Sequence, residues 1–123
     1  MRDYTSLTGM QGSKAINVVA AGANVLLPGR VGYVILVLSY VFHASVANTV
    51  DFEDTNGVVH GGPFTDLLIG SGVVANHNPN GWFFIPEGRG LNIGLAGATQ
   101  VGGHIVYVYV EAEKANKLLM LHT

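Results

Sequence analysis

The sequence has no cysteine, few charged residues and no apolar run long enough to cross a membrane as a helix. Without cysteine, the chain forms neither disulfides nor thiolate metal sites. The longest apolar run, Val31 to Phe42, has about 12 residues, whereas a membrane-spanning helix needs about 20. The first residues also lack the apolar core of a signal peptide. We therefore expect a soluble chain without a membrane partner.

The small number of charged residues indicates which kinds of partner the protein has. Only 11% of the residues are charged, against about 25% in an average domain, while 49% are hydrophobic. Soluble monomers normally cover themselves with charged side chains, so this composition favours an oligomer or an assembly component. The net charge is -2 and the six Lys and Arg residues are scattered, which gives no reason to expect nucleic-acid binding.

Turn-forming clusters divide the stretch from Gly61 to Ala112 at nearly regular intervals. They are Gly61-Gly62-Pro63, Gly70-Ser71-Gly72, Asn76 to Gly81, Pro86-Glu87-Gly88 and Gly102-Gly103. Short apolar runs lie between them, and His104 to Glu111 is a longer strand candidate after a loop at Ala96 to Gly103. This alternation of turns and short apolar runs predicts an all-β fold, an antiparallel, jelly-roll-like β-sandwich of about eight strands.

The first half of the chain also predicts strands. Ala15 to Leu27 is strand-like at both ends, with a bend at Gly22. Asn48 to Glu53 alternates polar and apolar residues, and Asn56-Gly57 is typical of a tight hairpin turn. We expect one domain over residues 15–112, an N-terminal arm over 1–14 and a C-terminal tail over 113–123. Each terminal segment either stays local or orders against a neighbouring subunit.

Val31 to His43 carries the strongest strand signal, and both of its faces are apolar. One face has Tyr33, Ile35 and Val37, and the other has Val34, Leu36, Leu38, Tyr40 and Phe42. An antiparallel strand with one face in water alternates polar and apolar residues instead. The pattern therefore predicts a central strand whose second face is also covered, for example by another subunit.

Histidines and carboxylates do not form a recognisable catalytic or metal-binding motif. The five histidines are isolated, without the His-x-His of a cupin metalloenzyme, although His43 and His104 flank the two longest strands and could meet. Asp51 and Glu53 share one face of a strand, with no cleft to raise the pKa of either, and are interpreted as a solvated acidic face.

Two glycine-rich segments are interpreted as turns. Ser71 does not match a nucleophile elbow because Val73 follows Gly72, and Gly88-Arg89-Gly90 precedes no phosphate-binding helix. We predict no catalytic residue, no metal site and no cofactor.

The consecutive aromatics Trp82, Phe83 and Phe84 leave three alternatives open. They divide between the sandwich faces and the rim, they form a buried subunit interface, or they form a platform on which sugars stack.

Short motifs in a fixed order give a family resemblance. The segments Gly62-Pro63-Phe64, Asn80 to Phe83, Gly88 to Leu95 and Ala98 to Val108 resemble the corresponding parts of small structural proteins encoded among the head genes of tailed bacteriophages. The resemblance covers roughly Leu26 to Ala112. It implies a capsid decoration or cement protein on the outer surface of the virion, with a jelly-roll-like fold and no enzymatic activity.

Such proteins associate as dimers or trimers and bind the lattice of the major capsid protein, so the resemblance implies both partners. The alternative is a receptor- or glycan-binding module of a phage fibre, and a third hypothesis is a cupin-like metalloenzyme. The candidate contact residues are apolar or aromatic and lie in the two terminal segments, the two-faced strand and the aromatic run: Tyr4, Met10, Tyr33, Ile35, Val37, Trp82, Phe83, Leu118, Leu119, Met120 and Leu121.

Overall fold

The structure, a computed structural model, describes residues 11–46, 48–67 and 72–114. These residues contain nine strands, β1 Gln11–Val18, β2 Gly22–Leu27, β3 Tyr33–Ala44, β4 Asn48–Asp54, β5 Val59–Leu67, β6 Gly72–Ala75, β7 Phe83–Ile85, β8 Leu91–Leu95 and β9 Val101–Glu111. A short helical turn over 112–114 follows β9.

The strands form two antiparallel sheets that pack as a sandwich. One sheet has the order β1-β9-β3-β6, with β7 also paired to β3, and the other has the order β2-β8-β4-β5. The first strand thus pairs with the last, the second with the last but one, and β4 with β5. This is the winding of a jelly roll, which confirms the predicted fold class. Strand β7, from the aromatic run, lies along β3 beyond β6.

The main core lies between the two sheets. In β4 every second residue is buried, so that Val50, Phe52 and Asp54 face inward. Phe52 meets Phe42 from the opposite sheet, with ring centroids 5.7 Å apart and nearly perpendicular planes. Aromatic pairs favour this edge-to-face geometry. The aliphatic part of the core includes Ile35, Val37, Ile85, Leu91, Ile93, Val101 and Ile105.

A β-bulge at Leu38 changes which residues of β3 face the core. Val37 pairs with Tyr107 and Ser39 with Val106, so Leu38 is an extra residue without a partner on β9. After the bulge, Tyr40 and Phe42 join Ile35 and Val37 on the inner face. The prediction that they share a face with Leu38 is wrong, because strict alternation assumes an unbroken strand.

Part of the outer face of the five-stranded sheet, around the first half of β3, is buried as well. Its cluster consists of Val34, Leu36, Leu38, Val108, Val110 and Ala112. These side chains are buried in a single chain, so the predicted second cover of β3 is confirmed. It requires no other subunit.

Three boundaries differ from the predictions. β1 begins at Gln11, inside the predicted arm, and its polar residues reflect an edge strand in which Ile16 is the buried residue. β5 continues through Gly61-Gly62-Pro63 with irregular pairing to β4, at a sheet edge where proline is tolerated. β9 includes Gly102 and Gly103, where a turn was predicted.

Gly103 explains the third difference. A Cβ at this position would collide with the backbone oxygen of Val41 on β3, so only glycine permits the two strands to approach there. The glycine pair therefore serves close strand packing rather than a turn.

Candidate functional site

Three loops meet at one end of the sandwich, here called the loop end: 28–32 between β2 and β3, 55–58 between β4 and β5, and 86–90 between β7 and β8. The Gly90 amide donates to Thr55 Oγ1 at 3.3 Å, and the Gly88 amide donates to the carbonyl of Tyr33 at 3.1 Å. The Tyr109 hydroxyl donates to the carbonyl of Pro28 at 2.7 Å. These bonds connect every loop of the group to another loop or to a strand of the sandwich.

Asp54, the last residue of β4, is the centre of this arrangement and is completely buried. Its Oδ1 accepts the backbone amides of Asn56 at 2.8 Å and Val58 at 3.1 Å, which fixes the β4–β5 turn. Its Oδ2 bonds to His60 Nε2 at 2.8 Å and accepts Arg89 Nη1 at 3.0 Å. One carboxylate thus joins the turn, strand β5 and the β7–β8 loop.

The protonation of Asp54 follows from these bonds. Burial alone would raise the pKa of Asp54, but its hydrogen bonds outweigh that effect and hold the pKa well below the usual range. The side chain is therefore a charged, fully bonded carboxylate. Arg89 also reaches Asn56, whose amide oxygen, oriented to be satisfied, accepts Nε at 3.1 Å and Nη2 at 3.2 Å. The arrangement holds the loops in place, and its polar groups are bonded to one another.

Two valines are exposed on the surface of the loop end. Val31 is 92% exposed and Val58 is 48% exposed, although both lie on loops held by hydrogen bonds. The Arg30 guanidinium carbon lies 5.3 Å from the ring centre of Tyr33 and 5.2 Å from that of Tyr109, in cation–π range. The one cationic side chain of the 28–32 loop is thus held over aromatic rings.

An aromatic groove adjoins the loop end, at the edge where β5 and β7 face each other. Its volume is about 380 Å³, and its lining consists of Leu36, His60, Asn80, Gly81, Trp82, Phe83, Phe84 and Pro86. The Trp82 indole is 49% exposed, and its Nε1 donates to the carbonyl of Asn76 at 2.8 Å. The groove therefore presents an oriented aromatic ring beside an imidazole and an amide, a combination typical of small-ligand sites.

Family models, curated proteins and solved structures give no match to this chain.

The predicted contact residues fall into four groups. Ile35 and Val37 are completely buried in the main core, which leaves no atom of either side chain for a partner. Tyr33 and Phe83 are half-buried, and Phe83 packs on Phe52 with ring centroids 5.6 Å apart. Of the predicted set, Trp82 is the one described residue with an exposed side chain. Six lie outside the described residues: Tyr4, Met10, Leu118, Leu119, Met120 and Leu121.

Sequence reasoning missed Val31, Val58 and the Asp54 network. A single valine beside Pro-Gly-Arg or Asn-Gly has no periodicity that marks it as exposed. Asp54 and Arg89 are separated by 35 positions, so their contact has no local sequence signature. The detectable signal was the Asp-Thr-Asn-Gly run itself, since Asp side chains often bond to backbone amides two residues ahead.

The histidines in the described part of the chain are not grouped as a metal centre. His104 lies opposite Val41 and His43 opposite Gly102, so the two rings are diagonal neighbours on the outer face of the five-stranded sheet. Within residues 11–46, 48–67 and 72–114, no three or more His, Asp or Glu side chains are placed to hold a metal ion. No helix in those ranges is long and apolar enough to span a membrane.

Proposed function

We propose that this protein is a capsid decoration protein that binds the outer surface of a lattice of major capsid proteins and stabilises it as a homodimer or homotrimer. The observation that supports this most is the loop end, where two exposed valines stand on fixed loops. Val58 lies on the turn held by the buried Asp54 network, and Val31 lies on the loop held by the hydrogen bond from Tyr109 to Pro28. Preorganised loops lose little conformational freedom on binding, so apolar contacts there contribute more of their energy to affinity. The resemblance to phage head proteins points to the same role.

The composition of the chain fits repeated weak contacts. A decoration protein binds at many equivalent positions of a lattice, and an oligomer engages several of them together. Avidity then makes individually weak contacts effective. Contacts of this kind need apolar, charge-poor patches rather than a catalytic cleft. The outer capsid surface is the corresponding location.

The test is binding of the purified protein to particles that lack it. Val31→Glu places a charge at the centre of the proposed contact and should lower occupancy at least tenfold without changing the unfolding transition. Val74→Glu is the matched control, because Val74 is also strongly exposed, at 69%, but lies on β6 away from the loop end. Particles without the protein should lose resistance to heat and low salt. Unchanged particle stability, or equal loss of binding in both variants, would contradict the proposal.

The aromatic groove supports a second candidate, a glycan-binding module of a phage fibre. Trp82 offers an exposed face for a sugar ring, and His60 and Asn80 are the polar groups beside it. Binding on a glycan array that disappears in Trp82→Ala, with folding intact, would favour this candidate. If the protein is a decoration protein instead, Trp82→Ala should leave particle occupancy unchanged while Val31→Glu reduces it.

A further inference from the structure

The outer face of the four-stranded sheet carries three oxygen-bearing side chains that the loop end does not use. Asp51 and Glu53 point outward from β4 and are two residues apart. The pairing with β8 places Asp51 opposite Gly94 and Glu53 opposite Asn92. Side chains directly opposite each other on neighbouring strands have Cβ atoms about 5 Å apart. The two carboxyl groups and the Asn92 amide therefore stand side by side on a rigid surface.

Gly94 gives the two carboxylates room to converge. A Cβ built on Gly94 would collide with Asp51 Oδ1 and would lie 3.1 Å from Glu53 Oε2. Both oxygen atoms thus lie over the same backbone position. They line a depression of about 200 Å³ that Thr49 also borders.

The oxygen atoms of this group lack the partners that buried oxygen atoms normally have. Asp51 Oδ1 and Asn92 Oδ1 are buried and accept no hydrogen bond, and Asn92 as a whole is only 8% exposed. In the described part of the chain, the ion pairs of carboxylates involve Asp54 and Glu111, so neither Asp51 nor Glu53 has a basic partner. Burial, followed by the neighbouring charge of Asp51 and a hydrogen bond between the Glu53 and Asp51 side chains, raises the pKa of Glu53. A bound cation would offset the repulsion between the two carboxylates and give the amide oxygen of Asn92 a partner.

The geometry points to a divalent-cation site, selective for Ca²⁺, whose ligands are the carboxylates of Asp51 and Glu53 and the amide oxygen of Asn92. Ca²⁺ is bound by carboxylate and amide oxygens, tolerates irregular geometry and completes its coordination with water. Mg²⁺ requires a stricter octahedron and gives up water reluctantly, so it should bind more weakly. With two carboxylates, the affinity should be in the range of weak extracellular sites, with Kd about 10⁻⁴–10⁻³ M. The bound ion would link β4 to β8.

The experiment is calcium titration of the full chain, freed of metal by a chelator, followed by calorimetry and thermal unfolding. We expect one saturable Ca²⁺ per chain and a Tm that rises by roughly 10 °C at a hundredfold excess over Kd. Asp51→Asn and Glu53→Gln should each weaken binding at least tenfold. They should still fold without Ca²⁺, because each removes a like-charge repulsion. Glu87→Gln, on an exposed loop residue, is the matched control and should bind as the wild type does.

Gly94→Ala provides a test that keeps both charges. Its Cβ displaces the Asp51 carboxylate, so Ca²⁺ affinity should fall although the net charge is unchanged. The proposal is overturned if the wild type shows no saturable Ca²⁺ binding, or if Asp51→Asn binds as tightly as the wild type. A Tm that responds to pH but not to Ca²⁺ would assign a shared proton to the pair instead. None of these outcomes depends on binding to particles, so they are independent of the proposed capsid role.

Discussion

Arg89 donates from Nη1 to Asp54 Oδ2 at 3.0 Å, and this bond joins the β7–β8 loop to the end of β4. The same oxygen also binds His60, while Oδ1 organises the hairpin turn. The Asp54 side chain is completely buried, whereas the Arg89 side chain is about one-third exposed. Removing the carboxylate therefore leaves several donors unpaired at once, which is more costly than losing one surface ion pair.

Asp54→Asn should destabilise the protein by about 2–4 kcal/mol. The asparagine keeps the shape of the side chain but turns an amide group or an uncharged oxygen toward Arg89 and His60. The free energy of unfolding in urea measures the loss. Glu87→Gln, on the same loop but exposed, should change stability by less than about 0.5 kcal/mol. If the free energy of unfolding falls by a similar amount in both variants, the network does not stabilise the loop end.

Asp54 and Glu53 should have opposite effects on how stability changes with pH: acidification should lower stability through Asp54 and raise it through Glu53. The folded-state pKa of Asp54 lies below the ordinary value of 3.8, so its contribution is complete above 3.8 and is lost as the pH falls toward the folded pKa. The pKa of Glu53 is raised above 4.5, by burial first and then by Asp51. The Glu53 carboxyl therefore binds a proton more tightly in the folded state than in the unfolded state. As a result, the free energy of unfolding increases as the pH falls from above the raised pKa of Glu53 to 4.5.

The expected result without Ca²⁺ is a stability maximum in the weakly acidic range, measured as the free energy of unfolding in urea at a series of pH values. Glu53→Gln should remove the increase on mild acidification. Asp54→Asn should flatten the loss at lower pH. A wild-type profile that declines steadily from neutral pH downward would contradict the behaviour expected of Glu53.

Gly103→Ala should destabilise the protein by about 3 kcal/mol or more, because the methyl group collides with the Val41 backbone oxygen and forces β9 away from β3. Gly102→Ala is the matched control. The nearest atoms to its added Cβ are 3.9 Å away, so its effect should be less than about 1 kcal/mol. Thermal and urea unfolding of the pair measure the difference. Equal losses would show that the close strand approach is not the reason for glycine at position 103.

Deletion of Leu38 should leave the protein folded, because it joins Val37 to Ser39 in a regular ladder with Tyr107 and Val106 and keeps Tyr40 and Phe42 on the inner face. Leu38→Ala keeps the extra residue and should also fold cooperatively, with a loss of about 2–5 kcal/mol. Circular dichroism and one-dimensional proton NMR show whether each variant folds, and urea unfolding measures its stability. An unfolded deletion variant beside a folded Leu38→Ala would mean that the fold requires the bulge itself and not only the Leu38 side chain.

The elements predicted well have strong local signals. Leu91 to Leu95 alternates cleanly and coincides with β8, and Asn56-Gly57 lies in the turn between β4 and β5, with Gly57 at a positive φ. These features depend on side-chain alternation and on the backbone freedom of glycine, both of which are visible in a few consecutive residues. The polar edge strand β1 has neither signal, since an edge strand can be stabilised largely by its pairing with β9.

The all-β class, the sandwich and most strand positions follow from local sequence patterns, because the alternation of side chains and the turn residues act over a few neighbouring positions. Tertiary structure alone decided the Leu38 bulge, the approach of Gly103 to Val41 and the convergence of Asp51 and Glu53 over Gly94. It also decided the burial of Ile35 and Val37, which excludes them as exposed contact residues. Each of these depends on which residue lies opposite which across a sheet or between sheets. That relationship is set by the packing of segments far apart in the chain.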